Sequence, residues 1–140
     1  MAGTPRRDSG TPLWKKLGIR EGSRVLVTGE VPPGFSLGLL PPEVEVLKRA
    51  ASNMDVALLF STSIARIERR LPRLAGGMHP AGRLWISWPK RAAGVPTDTS
   101  FGNVQGVGLA AGLVDNKSAS ITEVFQGIQF VLRLRDRPKR

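Results

Sequence analysis

Apolar positions along the chain follow two rhythms. Short, nearly continuous apolar runs bounded by turn residues stand at 24–28 (RVLVT), 55–60 (DVALLF) and 83–88 (RLWISW), the pattern of strands covered on both faces. Between the second and third runs, Ile64, Ile67, Leu71 and Leu74 recur at helical spacing, which predicts an amphipathic helix over 62–74 with a kink at Pro72. A short helix is expected over 11–18, where Thr11 can cap, Pro12 suits the first position, Gly18 suits the end, and Leu13, Trp14 and Leu17 point inward. A third helix, from Ser100 to about Leu109, carries several glycines that each cost about 1 kcal/mol relative to alanine, so tertiary packing must hold it. Residues 44–47 read as a further short strand. Residues 113–122 and 128–134 read as an antiparallel pair joined by a turn containing Gly127.

Strands alternating with helices imply an α/β domain of three layers, Rossmann-like, with a mostly parallel sheet, helices on both faces and a C-terminal antiparallel strand pair. The chain divides into a disordered lead over 1–11, a single domain over 12–134 and a basic tail over 135–140.

Composition narrows the chemistry. With 140 residues the chain is one domain's worth, and 21 Lys and Arg against 11 Asp and Glu leave a net charge of +10, which favours an anionic partner as well as solubility. The absence of cysteine excludes disulfides, thiolate metal sites and cysteine nucleophiles. No carboxylate or histidine cluster has metal-ligand spacing, so no metal and no cofactor is expected. The apolar runs fall short of a membrane span, and the first ten residues lack an apolar signal core, which points to a cytoplasmic protein with no membrane partner.

Two resemblances follow from particular segments. Residues 16–27 (KLGIREGSRVLV), 55–59 (DVALL) and 79–86 (HPAGRLWI) resemble the strand-1, strand-4 and strand-5 blocks of class I S-adenosylmethionine-dependent methyltransferases, in a shortened version. The segments "TPLWKKLGI", "SWPKRAAGVPTD", "GLAAGLVDNKSAS" and "GIQFV" together resemble a small bacterial family, number 3052 in the domain-of-unknown-function series, which has no established activity to carry over. The methyltransferase resemblance implies a glycine-rich cofactor loop after strand 1. Here that position reads Thr28-Gly29-Glu30-Val31-Pro32-Pro33-Gly34, with two prolines that donate no N–H and a bulky valine. The ribose-binding acid expected at the end of strand 2 is replaced by Lys48-Arg49.

Other candidate chemistry is sparse. Gly106-Val107-Gly108-Leu109-Ala110-Ala111-Gly112 is off the dinucleotide spacing and follows a helix, so it reads as packing and helix termination. His79 is the one histidine, no Gly-x-Ser-x-Gly elbow accompanies it, and no catalytic residue is assigned. Trp88-Pro89-Lys90-Arg91 leaves the sheet at the edge where open α/β sheets bind ligands. Thr97, Asp98 or Thr99 is expected to begin the next helix, bringing free N–H groups to the same edge. Lys90 and Arg91 are therefore candidates to hold a small anion, with Trp88 as an apolar wall and Ser61, Thr97 and Asp98 as neighbours; the alternative is a core Trp88 and a solvated Lys90. Arg66, Arg69, Arg70 and Arg73 share one helix face, which is either solvated or able to follow a nucleic-acid backbone without reading sequence. The resulting expectation is a non-catalytic domain binding an anionic small molecule or a protein partner. A divergent methyltransferase and a weak nucleic-acid binder are the alternatives.

Overall fold

The computed structural model describes residues 10–133. Three helices, α1 (Leu13–Leu17), α2 (Ile64–Gly76) and α3 (Phe101–Ala110), accompany six strands: β1 (Arg24–Gly29), β2 (Glu45–Leu47), β3 (Met54–Phe60), β4 (Met78–Pro89), β5 (Leu113–Ser120) and β6 (Phe125–Leu132). One sheet contains all six in the order β2-β1-β3-β4-β6-β5. The pairs β1–β2, β1–β3 and β3–β4 are parallel, while β6 runs antiparallel to both β4 and β5.

Alternation along the central strands explains why their sequences are apolar throughout. Ala57 and Leu59 of β3 and Leu84, Ile86 and Trp88 of β4 face one core, which Ile67, Leu71 and Leu74 of α2 and Val104 of α3 complete. Val56, Leu58 and Phe60 of β3 and Trp85 of β4 face a second core, closed by Leu17 of α1. Two tryptophans three residues apart therefore lie on opposite faces of the sheet. The indole N–H of Trp85 donates to the carbonyl oxygen of Leu17 at 3.1 Å, so the buried ring also pins the end of α1. Helix α1 is short, and the rest of this face is covered by Phe35, Leu37, Leu40 and Val44, from the segment joining β1 to β2.

Several boundaries differ from the sequence expectation, each for a local reason. Pro12, not Thr11, occupies the N-cap of α1, and no side chain caps it. Helix α2 continues through Pro72 to Gly76, after Ser63 caps its start by accepting from the Arg66 N–H. Helix α3 begins after Ser100, as the helix pattern predicts and not at Thr97–Thr99 as the strand-exit reading has it, because Ser100 and Asn103 form a reciprocal capping box. Gly127 lies not in the hairpin turn but within β6, opposite Ser87, and a Cβ on it there would crowd Ile121 and the Ile86 carbonyl. Gly108 belongs to helix packing: a Cβ there would overlap the Phe130 ring. The tail over 135–140 and all but the end of the lead over 1–11 lie outside the described residues. Among the described residues, no helix is long and apolar enough to cross a membrane.

Trp88 is 1% exposed within the first core. Replacing it with alanine is expected to cost about 3–5 kcal/mol in urea unfolding, whereas Lys90→Ala, at the half-buried strand exit, should stay within about 0.5 kcal/mol of the parent.

Candidate functional site

Strand β1 has β2 on one side and β3 on the other. The order of the chain reverses between β1 and β3, and a crevice opens beyond their carboxyl ends, the position where open α/β sheets take ligands. Gly29, Glu30, Leu59, Phe60, Ser61, Arg66, Arg69 and Arg70 enclose a cavity of about 360 Å³ there.

The floor of the crevice is set by a close backbone approach. Gly29 has φ +91°, and a Cβ at this position would overlap the Phe60 carbonyl oxygen, so only glycine fits. The next amide, that of Glu30, donates to the same oxygen at 2.9 Å. The Glu30 side chain then turns onto the segment after β3. Its Oε2 accepts from the Thr62 N–H at 2.9 Å, and its Oε1 accepts from the Thr62 hydroxyl at 2.9 Å. The Arg66 guanidinium stands 3.5 Å away, and Ser61 Oγ 3.4 Å away. Thr62's backbone N–H, opposed by desolvation and helped by the Thr62 hydroxyl, Arg66 and Ser61, holds the carboxyl below its ordinary value of 4.5.

Beyond Gly29 the chain packs on apolar surface. The Phe35 N–H donates to the Pro32 carbonyl at 3.0 Å, and the Phe35 ring meets Phe60 edge-on at 5.0 Å between centroids. The chain that follows the loop position, from Phe35 on, thus covers the second core, while Val31, Pro33 and Gly34 stay exposed. A neighbouring hollow of about 500 Å³ is lined by Thr28, Lys48, Arg49, Ala50, Arg69, Arg70, Arg73 and Leu74. Arg70 donates to Thr28 Oγ1 at 2.8 Å across its boundary with the crevice.

The other sequence candidates divide between two places. Trp88, Lys90, Arg91 and Thr97 line a separate cavity of about 460 Å³ with Ser100 and Phe101 at the start of α3. In it Lys90 Nζ donates to Ser120 Oγ at 2.8 Å, and the Thr97 hydroxyl donates to the Thr62 carbonyl at 2.7 Å. Asp98 is directed elsewhere: its Oδ1 accepts from the Ile64 N–H at 2.8 Å, at the start of α2. Ser61 belongs to the β1–β3 crevice. Sequence reasoning passed over Glu30 and Thr62. The available signal was a lone carboxylate directly after the glycine that ends strand 1.

Comparisons with known proteins add the fold's relatives. No family model matches the chain, so the resemblance to family 3052 has no support there, and no curated protein matches. Solved structures do match. One is a LepI variant in complex with SAH and a substrate analogue, at TM-score 0.57 and 14% identity over 92% of this chain and 49% of that one. A SAM-dependent methyltransferase from Aquifex aeolicus aligns at TM-score 0.56 and 17% identity, over 84% of this chain and 86% of that one. Magnesium protoporphyrin IX methyltransferase from Synechocystis PCC 6803 with bound SAM aligns at TM-score 0.56 and 7% identity, over 86% and 74%. The fold is methyltransferase-like. The chain spans about half the length of LepI. The segments similar to methyltransferase strands 1, 4 and 5 are β1, β3 and β4, adjacent and parallel.

Glu30 makes the stability of this crevice dependent on acid. Its carboxyl is lowered in the folded state, so its contribution is present above the unfolded value and is lost as pH falls through the folded one. Urea unfolding of Glu30→Gln should therefore show a deficit against the parent at about pH 7 that narrows at acid pH, below the unfolded value of 4.5. An equal deficit at both pH values would show that the charge is not what holds the contact.

Proposed function

We infer that the protein is a divergent methyltransferase-fold protein that binds S-adenosylmethionine weakly in the β1–β3 crevice. The likeness to SAM- and SAH-bound structures supports this reading better than a non-catalytic binding domain. The observation that carries it is the Glu30–Arg66 pair at the switch point, 3.5 Å apart beside the bare backbone of Gly29. The amino-acid end of S-adenosylmethionine is a zwitterion, and a zwitterion needs one fixed anion and one fixed cation. Glu30 would receive its ammonium group and Arg66 its carboxylate, exchanging an internal ion pair for two external ones.

The remaining residues fit the cofactor less well, which sets the expected strength. Lys48-Arg49 stand where a carboxylate would hold the ribose, Pro32 and Pro33 donate no N–H, and Arg69 and Arg70 add positive charge beside a ligand that carries a sulfonium. When bound, S-adenosylmethionine supplies an electrophilic methyl group. The chain's part is to orient the amino-acid end through Glu30 and Arg66 and to keep the Gly29 backbone close.

A second reading rests on the other cavity. Lys90, Arg91 and Thr97 at the start of α3 provide the chemistry for a small anion, with the Trp88 and Phe101 rings 6.1 Å apart beside them. Cytoplasmic location is proposed with either reading.

Isothermal titration calorimetry with S-adenosylmethionine and S-adenosylhomocysteine separates the readings. A dissociation constant between about 10 μM and 1 mM, roughly −7 to −4 kcal/mol, is expected for S-adenosylmethionine, weakened at least about tenfold by Glu30→Gln. No heat at millimolar ligand, or binding unaffected by Glu30→Gln, contradicts the crevice reading.

A further inference from the structure

We propose that the groove between α2 and the segment after β2 is a sequence-independent binding surface for the phosphate backbone of duplex nucleic acid. It does not rest on the crevice reading, because its residues Lys48, Arg49 and Arg73 lie outside the crevice.

The groove follows from how the chain returns from β2. Residues 48–53 run from the end of β2 to the start of β3 without forming a helix. At the far end of this run, the Met54 N–H donates to the Gly77 carbonyl at 2.9 Å, and a Cβ on Gly77 would press on the Ala51 carbonyl. This irregular segment, bent at 48–49 and 52–53, therefore lies beside α2. One wall of the hollow carries Lys48 and Arg49, and the other carries Arg69, Arg70 and Arg73. All five side chains belong to exposed residues, and among the described residues no carboxylate lines the hollow.

Burial on α2 fixes which way the arginines face. Ile67, Leu71 and Leu74 are committed to the core, so Arg66, Arg69, Arg70 and Arg73, spaced by three and four residues, share the outer stripe. At 1.5 Å per residue the stripe from Arg66 to Arg73 is about 10 Å long. That length spans about three phosphates at 3.4 Å of axis per charge on one strand. Arg70 is held in place by its bond to Thr28, and Arg66 is engaged with Glu30. Among the described residues, Lys48, Arg49, Arg69 and Arg73 have no hydrogen bond or ion pair from their side chains. Clustered cations without internal partners, on a chain of net charge +10, repel one another until an anion arrives. The lining holds no aromatic ring to stack on a base, so the surface recognises phosphate charge and not base identity.

The test is fluorescence anisotropy with two 20-base-pair DNA duplexes of unrelated sequence, on the full chain, at rising salt. Two variants of equal charge change are compared: Lys48→Glu with Arg73→Glu in the groove, and Lys15→Glu with Arg20→Glu on exposed positions away from it. Both duplexes should bind alike. With about five phosphate contacts, affinity should fall about 500-fold between 50 and 200 mM salt. The groove variant should lose at least about tenfold at 50 mM and flatten the salt slope by about 2, while the other variant changes less than about threefold. A groove pair of Lys48→Gln with Arg73→Gln repeats the comparison with a milder change, and melting curves show that each variant is folded. Equal losses in both charge-reversal variants, discrimination between the duplexes, or no binding at 50 mM salt overturns the proposal. So does tripolyphosphate that binds more tightly than the duplex and displaces it, since the groove would then be a small-phosphate site.

Discussion

Gly29 approaches the Phe60 carbonyl so closely that no side chain fits between them, and this contact ties the ends of β1 and β3 together. The Glu30 amide donates to the same carbonyl, and the Glu30 carboxylate reaches past it to Thr62 and Arg66. One short turn thus fixes the end of the first strand, the segment after the third and the first turn of α2. The crevice at the switch point exists because these three pieces are held at fixed separation. Its charge character follows from the same contact, since the carboxylate meets an arginine from a helix whose outer face is basic.

The sheet could be read from the sequence because its strands are apolar on both sides, and a run such as residues 55–60 admits few other structures once turns bound it. Helical connections predict the parallel pairing of β1, β3 and β4, and the pairing is found, although among these connections only that from β3 to β4 carries a helix, α2. The errors fell where short polar contacts decide. Position at the strand exit puts the helix start at Thr97–Thr99, whereas a reciprocal pair of bonds between Ser100 and Asn103 starts α3 where the helix reading has it, and Gly127 lies in β6, paired with Ser87 and Ala119, where a Cβ would crowd Ile121 and the Ile86 carbonyl. Neither signal is periodic.

The candidate site was less legible for a related reason. Lys90, Arg91 and Thr97 were grouped from their place at a strand exit, and they do share a cavity. Ser61 and Asp98 were grouped with them on the same argument, yet one lies in the crevice and the other caps the start of α2. Glu30 and Thr62 are 32 residues apart in sequence and meet only through the β1–β3 pairing. Such a contact carries no local pattern. The basic groove is similar: the arginine stripe is visible in the sequence, whereas Lys48 and Arg49 join it only because the irregular return from β2 runs alongside α2.

We propose that ligand chemistry in this molecule takes place where β1 and β3 end. The most direct test is a titration of the ¹⁵N-labelled protein with S-adenosylmethionine, followed by amide chemical shifts. Shifts concentrated at Gly29, Glu30, Ser61, Thr62 and Arg66 are the predicted result. Shifts confined to Lys90, Arg91 and the first turn of α3, or none at millimolar ligand, would contradict it.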